Sequence, residues 1–122
     1  MEKVLGIGGL FFRSEDPDAL AAWYRDALGI DLVPSDYDTE PWSQQAGPTV
    51  FAPFRSDTSY YPSQQQTMVN FRVRDVDAMA EQLRAKGAEV TVDPETYPNG
   101  RFARTHDPDG NAIELWEPKT PA

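Results

Sequence analysis

The chain has no cysteine among its 122 residues. That removes a disulfide framework, a thiol nucleophile and a thiolate metal site. It has one histidine, His106, so no His-x-x-x-His zinc pair exists. Basic residues are scarce: 11 Lys and Arg against 20 Asp and Glu leave a formal net charge of −9. Phosphate backbones are held by basic surface through counterion release, so this balance argues against a nucleic-acid partner. The acids are spread along the chain rather than gathered into a tail, which suits solubility first and a weak attraction for cations second. No apolar run approaches the ~20 residues that cross a bilayer. The opening "MEKVLGIGGLFFRSEDPD" also lacks the apolar stretch and cleavage site of a secretory leader. The expectation is a cytoplasmic protein with no membrane partner. Gly-x-Ser-x-Gly elbows and P-loops are absent, and "GIGG" (6–9) lacks the spacing of a dinucleotide loop.

What is present suffices for a core. Hydrophobic residues make up 39% and aromatics 11%, in a length that fits one domain. The chain also says one pattern twice. "GGLFFRSEDPDALAAWYRDALGI" (8–30) matches "MVNFRVRDVDAMAEQLRAKGAEV" (68–90), with "DPDALA" and "DVDAMA" in register at an offset of 59 residues. Leu20, Trp23, Tyr24, Ala27 and Leu28 recur at helical spacing, as do Val76, Met79, Ala80 and Leu83. Asp16 and Asp75 stand where N-caps belong, Pro17 suits a first helical turn, and Gly29 and Gly87 suit the stops. Short β-type stretches surround each helix. In the second half they are 88–93, 100–105 and 112–117, divided by "PETYPNG" and "DPDGN". In the first half they are the opening strand, 30–36, 41–45 and 49–54. The fold class predicted is α+β: two paired β-α-β-β-β modules forming a curved mixed sheet around a concavity. Module one spans about 4–54, a Ser- and Gln-rich linker 55–67, and module two 68–117.

Strand alternation then assigns faces. Val69, Phe71, Val73, Ile113 and Leu115 belong under a helix, as do Leu10 and Phe12. The opposite side collects Gly9, Phe11, Arg13, Met68, Asn70, Arg72, Glu114 and Trp116. An acid between two buried aliphatics, as Glu114 is in "AIEL", is thereby explained as facing the far side of the sheet. That side is either a solvated face or the wall of a small-molecule site. Phe11, Arg13, Trp42, Met68, Asn70, Arg72, Glu114 and Trp116 are the candidate cleft residues, and Glu114 is the candidate catalytic group. Tyr60, Tyr61, Phe51 and Phe54 are further stacking surfaces, or else core and linker residues.

The paired modules, "LAAWYRDALGI" (20–30) and "DPDGNAIEL" (107–115) resemble the vicinal oxygen chelate superfamily over nearly the whole chain. That superfamily includes glyoxalase I, bleomycin-resistance proteins, fosfomycin-resistance enzymes and extradiol dioxygenases. The resemblance implies a homodimer. In metal-using members a His, Gln or Glu on the first strand of each module joins a Glu on the last strand around a divalent ion. Those positions fall here on Gly9, Met68 and Glu114. A glycine and a thioether are no ligands for a hard cation, so one carboxylate remains and no metal cofactor is expected. Three readings follow. The first is a metal-free protein, similar to the bleomycin-resistance proteins, holding a small ligand in an aromatic cleft with Glu114 meeting a cationic or hydrogen-bonding group. The second is an enzyme: a metal-dependent lyase, isomerase or dioxygenase using Glu114 as a ligand, or a metal-free one using it as a base, with Arg13 and Arg72 clamping an anion. The third is an interaction module whose concave face is filled by its own side chains or a partner.

Overall fold

The computed structural model describes residues 1–119. Asp16 accepts from the Ala19 amide at 3.1 Å and starts α1 (Pro17–Leu28), which Gly29 ends in the left-handed region at φ 71°. Asp75 likewise accepts from the Ala78 amide at the start of α2 (Val76–Ala85). A second donor there is satisfied from the sheet: the Val76 amide donates to the Glu117 carboxylate at 2.9 Å. Caps of this type each stabilise a helix by about 1 kcal/mol.

Four strands make one sheet: β1 (Val69–Arg72), β2 (Thr91–Val92), β3 (Gly100–His106) and β4 (Ala112–Pro118), in the order β1-β4-β3-β2. β1 runs parallel to β4, while β3 pairs antiparallel with both β4 and β2. The hairpin turn after β3 closes on Asp107, whose buried carboxylate accepts from the amides of Asp109 and Asn111 and from the Asn111 side chain. Its second oxygen also takes the Tyr24 hydroxyl at 2.7 Å, tying this turn to α1. At Gly100, φ is 127° and an added Cβ would strike the Glu117 carbonyl oxygen, so only glycine fits the start of β3.

Both helices lie on one face of the sheet. Ala27, Val76, Leu83, Ala103, Ile113 and Leu115 form the buried centre, with Trp23, Tyr24, Leu28, Phe71, Val73 and Met79 packed around it. Each fully buried Leu, Ile or Val there stabilises the fold by roughly 1.5–3 kcal/mol. The Gln82 amide joins the helices by donating to the Ala27 carbonyl at 2.9 Å.

The module-one stretches depart from expectation at the level of strands. The opening segment and 30–36, 41–45 and 49–54 carry no strand pairing within the chain. Phe12 does lie edge-on against Tyr24 of α1. Yet Val4, Leu5, Phe11, Val33, Val50 and Phe51 stand exposed to solvent. The physical reason lies in the sheet. β4 and β3 already have neighbours on both sides, and among the described residues no segment pairs with the outer edges of β1 and β2. Among the described residues, no helix is long and apolar enough to cross a membrane.

Candidate functional site

Because Ile113 and Leu115 point into the helix-packed core, Glu114 and Trp116 must face the other way. The register places their neighbours. Asn70 on β1 and Arg104 on β3 flank Glu114 in one row across the sheet; Arg72 and Phe102 flank Trp116 in the next. Phe102 and Trp116 lie parallel, with centroids 6.4 Å apart, and the Trp116 indole donates to the Asn99 carbonyl at 2.8 Å.

Glu114 is the best-buried charge on this face, with its side chain only 8% exposed. Three donors converge on its carboxylate. Asn70 donates its amide to one oxygen at 2.8 Å. The other oxygen takes a short hydrogen bond from the Tyr60 hydroxyl and a 3.3 Å contact from Arg104 Nε. Arg104 also donates from Nη1 to the Tyr60 carbonyl at 2.8 Å, and its guanidinium lies 4.0 Å from the Tyr60 ring centroid. Such cation–π contacts contribute roughly 0.5–1 kcal/mol at partly exposed sites. Burial raises the Tyr60 phenol's pKa, the Glu114 bond adds to the rise, and Arg104 opposes it.

Tyr60 belongs to the stretch that composition marks as a linker, and the structure makes that stretch a strap. Gln65 completes the fastening: its side-chain amide both donates to the Ala112 carbonyl and accepts from the Ala112 amide, each at 2.9 Å. Phe54 packs against the rings of both Tyr60 and Tyr61. Between the strap and the β3–β4 hairpin lies an open cleft of about 540 Å³, lined by residues 58–63 and by Arg104, His106 and Ala112. Its size falls within the usual range for small-molecule sites.

The remaining candidates are placed unevenly. Asn70 and Glu114 meet, and Trp116 is buried beside them. Arg72 donates to the Gln45 carbonyl at 2.8 Å and does not reach Glu114. Met68 is half-buried at the entrance to β1. Phe11 and Arg13 are exposed in an unpaired segment, and Trp42 is 40% exposed, so none of the three lines the cleft. Tyr60 and Arg104 are the residues whose roles the sequence reading missed. Arg104 had a readable signal: a turn that pairs His106 with Ala112 pairs Arg104 with Glu114. Tyr60, 54 residues from its partner, had none.

The donor set around Glu114 does not fit a divalent cation. A guanidinium occupies one flank, where it would repel the ion, and the other two groups on the carboxylate are a neutral phenol and a neutral carboxamide, which bring no second negative charge. No group of three or more His, Cys, Asp or Glu side chains placed to hold a metal occurs among the described residues.

The glyoxalase-like domain family matches residues 9–116. The chain belongs to that family. No curated protein matches. Solved structures of the same fold do. TnmS3, an antibiotic binding protein from Streptomyces sp. CB03234, is 27% identical with TM-score 0.54, the match covering 86% of this chain and 88% of that one. A glyoxylase/bleomycin resistance protein/dioxygenase domain from Frankia sp. EAN1pec is 20% identical with TM-score 0.62, covering 96% and 100%. TioX from Micromonospora sp. ML1 is 19% identical with TM-score 0.53, covering 89% and 93%. The glyoxalase-like α+β fold is thus established, with Glu114 on the last strand of this chain, β4.

Proposed function

We propose that this glyoxalase-like protein binds a small organic molecule in the cleft between residues 58–63 of the strap and the β3–β4 hairpin, without a bound metal. The observation that carries the reading is the cleft itself, walled by Tyr60 and Tyr61 and floored by Arg104 and His106. The likeness to an antibiotic binding protein at 27% identity supports it. In this reading Glu114 holds the strap rather than a substrate, since its carboxylate is occupied by three donors. The alternative, a metal-dependent lyase, isomerase or dioxygenase with Glu114 as ligand, is disfavoured by the same three donors.

The protein acts as a homodimer in this proposal. Support comes from apolar side chains with no partner in the chain, Phe11, Val50 and Phe51 among them, together with two open sheet edges. A second copy offers both the edges and the apolar segments that the first one lacks. Absence of cysteine fits a reducing cytoplasm.

The test is thermal unfolding with two panels, planar aromatic compounds and Ni²⁺, Zn²⁺, Mn²⁺ or Fe²⁺, beside the metal content of protein purified without chelator. A ligand bound only by the folded state at a hundred times its Kd raises stability by about 2.7 kcal/mol. Stabilisation by aromatic compounds and none by metals is expected. Stoichiometric metal that disappears in Glu114→Ala would overturn the proposal.

A further inference from the structure

We infer that the cleft selects planar aromatic ligands bearing an anionic group, seated between Arg104 and His106. The inference rests on the small-molecule reading above and reverses the sign that net charge suggests. The chain carries −9, yet the cleft is lined by no Asp or Glu. Asp57, next to Thr58 of the lining, is paired with Arg55 at 3.1 Å, and two further acids are turned away from a ligand. Glu114 lies beneath the strap with its oxygens engaged, and Asp107 is 4% exposed with both oxygens taken by Tyr24, Asn111 and backbone amides. A ligand cation would therefore meet Arg104 with no acid free to receive it.

Donors, by contrast, are available. Arg104 uses Nε on Glu114 and Nη1 on the strap, while Nη2 has no acceptor among the described residues. Its side chain remains 36% exposed. His106 is two residues further along β3, on the same face, exposed and without a side-chain hydrogen bond among the described residues. Alternate residues of a strand stand about 7 Å apart, a separation that one carboxylate bridges with a hydrogen bond to each side. The aromatic half of the ligand has Tyr61 and the rim of Tyr60 to lie against, with Phe54 packed on both rings at centroid distances of 5.4 and 5.8 Å.

Three probes of one shape test this: 2-naphthoate, 2-naphthamide and 2-naphthylmethylammonium, titrated calorimetrically into the full chain. Naphthoate should bind at least ten-fold more tightly than the amide, the ammonium more weakly still, and added salt should weaken naphthoate alone. His106→Gln, at an exposed strand end that does not carry the fold, should lose several-fold for naphthoate and nothing for the amide. Amide or ammonium binding as tight as naphthoate, or indifference of naphthoate to His106→Gln, would overturn the charge selection and leave small-molecule binding standing. No binding by any of the three would remove the cleft as a binding site, and the inference with it.

Discussion

Replacing Arg104 by Met removes the charge beside Glu114 while keeping an unbranched stem of similar length. The cost follows from what the carboxylate keeps. Asn70 and Tyr60 still donate, but the only cation in contact among the described residues is gone, and the side chain is 8% exposed. Leaving a fully buried charge unpaired costs ~3–5 kcal/mol. Here the guanidinium is itself 36% exposed, so solvent already screens the pair and about 1–2 kcal/mol is the better figure. Losing the Tyr60 carbonyl bond and the ring contact adds about 1 kcal/mol. Arg104→Met should therefore destabilise by about 2–3 kcal/mol. Glu114→Gln alone should cost about 1–2 kcal/mol, because the new amide presents a donor where Tyr60 and Arg104 also donate. The double variant should cost at least ~1 kcal/mol less than the sum, since neither change then strands a charge. Urea unfolding at one fixed protein concentration measures all four corners. A coupling within ~0.3 kcal/mol of zero would mean that the pair is solvated and that Arg104 does not compensate the buried charge of Glu114.

Tyr24→Phe should cost about 1–1.5 kcal/mol by leaving one Asp107 oxygen short of a donor. Burial first, then the bond to Asp107, raises the Tyr24 phenol's pKa well above its ordinary 10.0. The folded state thus holds a proton that the unfolded chain releases above pH 10.0, so the stability from Tyr24 is complete below that pH and is lost as pH rises beyond it. Denaturant melts across alkaline pH should show a fall that Tyr24→Phe flattens, and an equal slope in both proteins would refute the assignment. Gly100→Ala should destabilise by about 1–3 kcal/mol or more, against about 1 kcal/mol for Gly29→Ala, because only Gly100 adds a steric conflict to its positive φ. Phe51→Lys, at a side chain 87% exposed in the single chain, should leave helix content unchanged and convert dimer to monomer by light scattering. A monomeric parent protein would refute the dimer outright.

What sequence made legible was local. Period and capping residues located α1 and α2 because helix signals are carried by neighbours three and four residues away. Alternation in "VNFR" and "AIELW" placed Asn70 and Glu114 on one face, and the parallel register sets them side by side. The two departures have one cause: dependence on distant chain. The module-one stretches have β-type composition, but a strand exists only when an edge is there to receive it, and composition names no edge. The segment 55–67 has linker composition, yet Tyr60 and Gln65 fasten it by bonds to residues 54 and 47 positions away. Polar, flexible chain is what can lie across a sheet and satisfy its buried groups, so a composition read as slack is equally that of a strap.

Glu114 shows how a sheet compensates its own buried carboxylate. A carboxylate this buried needs a positive charge or a set of donors. Gly9 and Met68, the positions to which the family resemblance points, offer no ligand for a hard divalent ion. Arg104 supplies the charge from the strand already paired to β4. A guanidinium does something an ion cannot: its planar fork is covalently part of the sheet and still has a second N–H for the strap's carbonyl. The residues that compensate Glu114 are thus the ones that bring Tyr60 down and shape the cleft. Placing a His at position 68 should therefore not by itself create a metal site, because Arg104 would still occupy the carboxylate. Met68→His with Arg104→Met is the smallest change expected to admit an ion, and Zn²⁺ titration of both variants separates the two cases.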